Sequence, residues 1–309
     1  MRVVVVGVGY LGRHHARILS QLADVELVGV VDLNRQRAEE VAVGVGTRAF
    51  TDVADVLDRI DAASIAVPTE AHGAVAIPIV ERGIPVLIEK PLARTTDEAD
   101  GILSGASRVG VLVAVGHTER YNPAVSAARP LITQPRFIEV HRLGAFPERN
   151  LDIDVVFDLM IHDLDIVLSL VRSEVVAIDA VGVPVLTSKI DIANVRLRFA
   201  SGCVANLTAS RISRDRVRKI RLFQPETYVS IDYGSQELEV WRLVQSPGQR
   251  PAIQGGRVDV KQDEPLKREL EDFVRSVRNG SSPEVTGQDG RRAVALAEQI
   301  TARMAEGVV

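Results

Sequence analysis

The sequence predicts an α/β protein: a doubly wound parallel sheet first, then a smaller-helix α+β domain with a large open, mostly antiparallel sheet. Three observations predict it. Residues 1 to about 118 alternate β-branched apolar runs with segments of helical period, the pattern of a parallel sheet covered on both faces. The first run, Arg2 to Val6, breaks into Gly7-Val8-Gly9-Tyr10-Leu11-Gly12, a G-x-G-x-x-G at a strand-to-helix turn. From about Pro135 the chain turns to successive β-like stretches without intervening helices, which argues for antiparallel pairing. A length of 309 residues, 46% hydrophobic and 25% charged, fits an ordinary globular protein of about two domains. The expected division is 1–120 and 121–309, with the C-terminal helices packing back on the core.

The elements of the first half follow in order. A helix is expected over about Leu11 to Leu22, then a strand from Val25 to Val31 ending in Asp32. Asn34 is an N-cap for a helix to about Val43, and Thr51 for a short helix through Leu57. Ala62 to Val67 is a buried strand, and Ala71 to Arg82 a helix stopped by Gly83. Pro85 to Ile88, a helix from Thr95-Thr96 to about Ser104, and Val111 to Val115 complete the sheet.

This is the context that gives the glycine motif meaning, and it is the Rossmann arrangement. Gly7 allows the tight turn, Gly9 lets the backbone approach a pyrophosphate, and Gly12 lets helix and strand pack closely. The helix N-terminus then faces the phosphates. Asp32 lies 20 residues after Gly12, where a carboxylate binds the adenosine ribose hydroxyls. An S-adenosylmethionine site uses a similar loop and acid, so the motif alone leaves that rival open. Asp32 favours NAD over NADP by repelling a 2′-phosphate, while Arg35, three residues on, leaves NADP use open. Tyr10 and Leu11 belong to the same cofactor turn.

Ligands of such sheets sit beyond the carboxyl ends of the strands. Those ends carry Pro68-Thr69 with His72 close by, Glu89-Lys90-Pro91, and the stretch from Gly116 to Pro123. Lys90, directly after a buried strand, is placed for chemistry. His72 reads equally as a structural histidine or a cofactor contact.

In the second half, strands are expected over Arg136 to Leu143, Val175 to Leu186, Ile190 to Phe199, Val204 to Ile212, Val217 to Phe223, Tyr228 to Tyr233 and Glu237 to Val244. Along one of them Ala193, Val195, Leu197 and Phe199 alternate with Asn194, Arg196 and Arg198, one face buried and one polar. Ser246 to Glu264 reads as a loop, followed by helices over about Leu266 to Val277 and Gly290 to Glu306. A helix from Val155 to Val171 carries Asp158, His162 and Asp165, spaced four and three apart and so expected on one face. A carboxylate beside an imidazole raises its proton affinity and orients it, which suits a base taking a hydroxyl proton. A solvated i, i+4 pair is the bland alternative. No metal is expected from so few ligands.

Composition narrows the rest. A net charge of −4 supports neither nucleic acid nor an anionic membrane as partner. The lone Cys203 excludes an internal disulfide. Neither a signal peptide nor an apolar run of membrane length is visible, so a cytoplasmic enzyme is the expectation.

Together, the fingerprint, Glu89-Lys90-Pro91, the Asp158-x-x-x-His162-x-x-Asp165 helix and the tail from Pro265 to Gly307 resemble the glucose–fructose oxidoreductase, inositol dehydrogenase and rhizopine catabolism (Gfo/Idh/MocA) family of NAD(P)-dependent oxidoreductases. The resemblance runs over nearly the whole chain and disfavours the methyltransferase rival. It implies that Lys90, Asp158 and His162 form the catalytic group, and that Glu89, Lys90, Pro68, Thr69 and His72 line the cofactor. Many members have glycines before this helix and between its aspartate and histidine; here Val155, Val156 and Met160 stand there. Residues 116–123, 135–143 and 158–163 are most similar to the bacterial subgroup that oxidises UDP-N-acetylglucosamine at C3 to a 3-keto sugar. On that likeness Arg120, Tyr121, Asn122, Arg142 and Asp165 are candidate substrate contacts, with Arg120, Arg142 and Arg149 able to meet a diphosphate. The resemblance also implies a homodimer or homotetramer joined through the C-terminal sheet. A dehydrogenase of a free sugar or polyol, or a non-catalytic NAD-binding regulator on the same fold, are the alternatives.

Overall fold

The computed structural model describes residues 1–146, 153–245 and 250–306. The chain opens with β1 (Arg2–Val6), α1 (Gly12–Gln21), β2 (Glu26–Val31), α2 (Arg35–Val45) and β3 (Arg48–Phe50). It continues with β4 (Ala62–Ile65), α3 (His72–Val80), β5 (Val86–Glu89), α4 (Thr96–Val109) and β6 (Val113–Gly116). These six strands are parallel in the order β3-β2-β1-β4-β5-β6. The order reverses between β1 and β4, which opens the crevice where such sheets bind dinucleotides. β4, β5 and β6 are buried along their whole length, including the polar Ser64 of β4 and Glu89 of β5. β3 is absent from the sequence-based expectation because a three-residue, half-exposed edge strand carries no readable period. The short turn after it is capped by Asp52, whose carboxylate accepts from Ala54 N–H, and not by Thr51.

The chain then forms α5 (Pro123–Ala128), β7 (Phe137–Leu143), a π-helical turn Val156–Met160 that runs into α6 (Ile161–Leu170), and β8 (Val175–Val183). β9 (Ile192–Phe199), β10 (Val204–Ser210), β11 (Val217–Gln224), β12 (Thr227–Asp232), β13 (Glu237–Val244) and β14 (Ala252–Val258) follow. The eight strands lie in the order β14-β13-β12-β11-β7-β10-β9-β8, antiparallel except where β7 meets β10. β14 occupies part of the stretch read as a loop. Its Gly255-Gly256 pair, at φ +145° and +146°, has no side-chain alternation to betray a strand, and a Cβ on Gly255 would come within 2.0 Å of the Val240 carbonyl oxygen. The inner face of this sheet, Ile138, Val140, Val195, Leu197, Leu207, Ile220, Leu222 and Ile231 among others, forms one core with Val155, Val156, Met160, Leu164 and Val167 of the helical segment.

Two helices end the chain: α7 (Pro265–Asn279) and α8 (Gly287–Glu306). They revise the expected division. The protein forms two compact units, Met1–Thr118 with Glu264–Val294, and Glu119–Asp263 with the chain from Ala295 on. The expected break at 120/121 lies within two residues of the observed one, but α7 belongs to the first unit. Its Leu266, Leu270, Phe273, Val274 and Val277, spaced to form one stripe, join Val3, Val5, Ile18 and Leu19 in that core. From Leu296 to Met304, α8 contributes instead to the core of the second unit. Among the described residues no helix is long and apolar enough to cross a membrane.

Candidate active site

The fingerprint glycines differ in what holds them. Gly7 has φ +84°, the left-handed region, and a Cβ there would lie 2.7 Å from the Ala66 carbonyl oxygen. A Cβ on Gly12 would collide with the Gly7 carbonyl oxygen at 1.8 Å. A Cβ on Gly9 meets nothing within 4 Å. Two glycines therefore answer to the protein's own backbone, while Gly9 keeps open the space beside the turn that a pyrophosphate would use. Tyr10 and Leu11 are exposed next to it, with the Tyr10 ring edge-on to His14 at 5.6 Å.

Asp32 closes the same crevice at the end of β2. Its Oδ2 accepts from Val8 N–H at 3.0 Å and its Oδ1 from Asn34 N–H at 2.9 Å, so the acid is tied to the glycine turn. Burial alone would raise its proton affinity, but these bonds and the Arg37 guanidinium at 3.0 Å hold the carboxyl below the usual range. The cation beside Asp32 is Arg37 and not Arg35, which pairs with Glu39 one turn along the exposed face. The turn, the open Gly9 and an ionised acid fit the adenosine half of NAD.

At the end of β4, Pro68 is exposed and Thr69 half-buried. His72 is buried, with Nε2 3.0 Å from the Val67 carbonyl oxygen and Nδ1 3.0 and 3.2 Å from those of Pro91 and Leu92. Both ring nitrogens are occupied by backbone, the structural alternative of the two readings. The ring staples the loops after β4 and β5 together, and burial lowers its proton affinity despite the surrounding carbonyls. Lys90, half-buried, begins the loop after β5 and donates its backbone N–H to Glu89 Oε2 at 3.1 Å.

In the second unit Asp158 stands in the π turn and His162 in the first turn of α6, both half-buried. The π turn changes the expected face. An i→i+5 turn breaks the regular phase, and such turns recur at functional sites. Asp165 separates from the other two: it is buried and receives Arg120 in a two-bond pair, Nε at 2.7 Å and Nη2 at 3.1 Å. Arg142 is likewise buried against Asp163, at 2.7 and 2.9 Å, with Glu119 at 3.1 Å. These contacts correct the expectation that Arg120 and Arg142 stand ready for a diphosphate; their forks are filled by carboxylates. Tyr121 is buried, and Asn122 caps α5 and donates to the Tyr233 carbonyl oxygen at 3.0 Å. Arg149 lies outside the described residues.

Sequence reasoning missed what aims the π turn. Arg211 and Asp191, both fully buried, pair at 2.8 Å. Arg211 Nη1 donates to the Ile153 carbonyl oxygen at 2.7 Å, and Asp154 Oδ1 accepts from Ile190 N–H at 2.9 Å. Asp191 also accepts from the backbone of Val185, Leu186 and Thr187, and these bonds outweigh burial and hold its carboxyl well below the usual range. The chain thus enters the segment bearing Asp158 from a fixed point. Asp191 and Arg211 lie 20 residues apart in the sequence, and no local period links them.

Comparisons with known proteins extend these local findings. Residues 1–117 match the GFO/IDH/MocA oxidoreductase family, NAD-binding Rossmann fold, and residues 132–235 the GFO/IDH/MocA C-terminal domain. UDP-N-acetylglucosamine 3-dehydrogenase of Acidithiobacillus ferrooxidans is 40% identical over 97% of this chain and 96% of its own. Its solved structure superposes with a TM-score of 0.92 at 38% identity, covering 99% of this chain and 98% of that one. The scyllo-inositol 2-dehydrogenase (NAD(+)) of Bacillus subtilis is 29% identical over 94% of this chain and 90% of its own. Levoglucosan dehydrogenase, solved with NADH and levoglucosan, shares the fold at TM-score 0.89 and 20% identity, covering 99% and 97% of the two chains. Likeness along the whole chain, beyond what a glycine turn alone would carry, makes this protein a member of the GFO/IDH/MocA family, an NAD-dependent oxidoreductase acting on a CH–OH group.

Proposed function

We propose that this enzyme oxidises the C3 hydroxyl of UDP-N-acetylglucosamine to the 3-keto sugar. The observation that carries the reading is the near-complete, 40% identical match to an A. ferrooxidans enzyme of that name. When bound, NAD supplies the carbon that accepts the hydride. Lys90, Asp158 and His162 are the proposed catalytic group. As the carbinol hydrogen leaves as hydride, His162 as first choice, or Lys90 with the roles exchanged, takes the single hydroxyl proton, and the other of the two hydrogen-bonds the same oxygen. Asp158 orients and tunes them. Gly7, Gly9, Gly12 and Asp32 hold the cofactor.

An anionic substrate needs a cation whose fork is open, and Arg218 answers that need better than Arg120 or Arg142. It stands directly across from Arg142 in the β11–β7 register and is exposed. Burial of its stem, then the charges of Arg142 and Arg216, lower its proton affinity, so an arriving phosphate relieves a like-charge strain.

Association of copies through the outer face of the large sheet is part of the same proposal. Phe137, Phe223 and Tyr228 cluster there with ring centroids 5.6 and 5.1 Å apart, and Trp241 pairs across from Tyr228. Light scattering of the wild type against Trp241→Arg tests it. NAD and UDP-sugars are cytoplasmic metabolites, and the enzyme is proposed to work there.

The test is NADH formation across UDP-sugars, free sugars and inositols. Turnover with UDP-N-acetylglucosamine, its KM raised by Arg218→Gln, is the expected outcome. Turnover confined to inositols or free sugars overturns the substrate and favours the polyol reading, which the B. subtilis relative supports.

A further inference from the structure

Behind the Glu89–Lys90 turn runs a buried polar chain that neither the dinucleotide turn nor the packing of the sheet requires. His15 of α1 is wholly inaccessible to solvent. Its Nδ1 lies 2.8 Å from Ser64 Oγ on β4, and its Nε2 lies 2.9 Å from Glu89 Oε1 at the end of β5. The other carboxylate oxygen, Oε2, accepts the Lys90 backbone N–H at 3.1 Å. The neutral ring satisfies every member: the serine hydroxyl donates to Nδ1, and Nε2–H donates to the carboxylate. Gly116, across from Glu89 in the sheet, leaves room for this carboxyl; a Cβ there would come within 3.1 Å of it.

A second carboxyl lies near. Glu269 of α7 is fully buried, with the Thr118 side chain as its hydrogen-bonding neighbour. Burial first, then the Glu89 charge, push it well above the usual carboxylate range, against a smaller lowering by the Thr118 bond. Glu89 is the reverse. Burial would raise it, but the His15 hydrogen bond, with the Lys90 charge and backbone N–H, holds it below the usual carboxylate range. Of two buried acids, the one bonded by His15 is shifted toward the charged form and the other away from it. An aliphatic triad would fill the same volume without the desolvation these groups incur. What the polar chain delivers at its open end is the Lys90 backbone and a fixed negative charge next to that lysine.

We infer that His15 is a positioning residue for the reaction, acting through Glu89 to fix the Lys90 backbone and to keep a carboxylate beside the Lys90 side chain. The inference rests on the reading that Lys90 takes part in the chemistry. A neighbouring carboxylate favours the ammonium form, so the chain sets the pH at which Lys90 releases its proton. The titratable groups facing Glu89 are His15 from α1, His72 from α3, Lys90 beside it and Glu269 from α7.

The test compares His15→Leu, which removes the donor, with His15→Gln, which keeps an N–H at similar reach. NAD binding and thermal melting identify folded protein. His15→Leu is expected to lower kcat by about 10- to 100-fold. NAD affinity should stay within about threefold, and the pH limb reporting Lys90 should move down by about one unit. His15→Gln restores most of the rate and of the limb. A folded His15→Leu enzyme with wild-type kcat and pH profile overturns the inference, as does a His15→Gln enzyme no better than His15→Leu. If His15→Leu does not fold, Glu89→Gln takes its place: the limb moves down if the charge matters, and an unmoved limb overturns the inference. Lys90→Met, measured alongside, separates the two levels. Full turnover there removes the reading on which the inference rests. An inactive Lys90→Met beside a wild-type His15→Leu removes only the positioning role.

Discussion

The two units bury their polar groups in opposite ways. In the second, every buried guanidinium described above closes on a carboxylate: Arg120 on Asp165, Arg142 on Asp163, Arg211 on Asp191. Each is a finished pair, and its worth lies in the cost of breaking it, since the partner left behind is a buried charge. In the first unit, Ser64, His15 and Glu89 form a chain with one charge and an end that emerges at the Lys90 backbone. Closed pairs hold shape, as Arg211 does for the entry to the π turn. An open chain transmits orientation and charge to a neighbour. The same buried-polar chemistry serves architecture in one unit and, on the proposed role of Lys90, reactivity in the other.

The strongest way to break this contrast is Lys90→Ala. It should lower kcat by about 10²- to 10⁴-fold, with the NAD dissociation constant from calorimetry within about threefold of wild type. Near-normal turnover would leave the open chain of the first unit with nothing to act upon. In the second unit, Asp191→Asn should lower stability by about 3–5 kcal/mol in denaturant titrations. Its sign with pH is definite. The folded carboxyl lies well below its ordinary value, so its contribution is full above about pH 4 and fades as pH falls further. The gap between wild type and variant should therefore be constant near neutrality and narrow in acid; a gap that widens there would contradict a closed pair. Asp32→Ala probes a charge of the first unit that is proposed to meet the cofactor. NAD affinity should fall about tenfold, for loss of a charged hydrogen-bonding acceptor, while discrimination against NADP relaxes because Arg37 then stands alone at the pocket edge. Unchanged cofactor preference would remove Asp32 from recognition. The smallest effect is Glu269→Gln. A carboxyl raised on folding destabilises the folded state progressively as pH climbs above its unfolded value, and the amide carries no such burden. The variant should melt about 2–4 °C higher near neutrality, with the advantage shrinking toward pH 4. A variant less stable at every pH would mean that the Thr118 bond to the carboxyl outweighs the cost of burying it.

Much of the fold was legible because periodicity carries it. The β-branched runs of β1 and β2, the short mainly apolar stretches of β4 and β5, and the strict alternation of β9 stand in the sequence much as they stand in the sheets. What escaped had no period to show: the short edge strand β3, and β14 with its paired glycines. The stripe on α7 was readable, but which sheet it covers is a tertiary fact; Phe273 sits with Val3 and Ile18. At the candidate site, residue types could be read from the sequence, while their partners remained invisible. Arg120 and Arg142 read as cations awaiting an anion because nothing local reveals that Asp165 and Asp163 lie against them. His15 drew no attention because its partners are 49 and 74 residues away in sequence.

The glycine turn, seen in space, carries two messages of different age and author. Gly7 and Gly12 obey the backbone that surrounds them, whatever the protein does for a living. Gly9 alone faces open space, where the pyrophosphate is proposed to lie. A descendant that gave up its dinucleotide would be free to drift at that single position while retaining both flanking glycines, so the middle residue of the turn is where a lapsed enzyme on this scaffold would first betray itself.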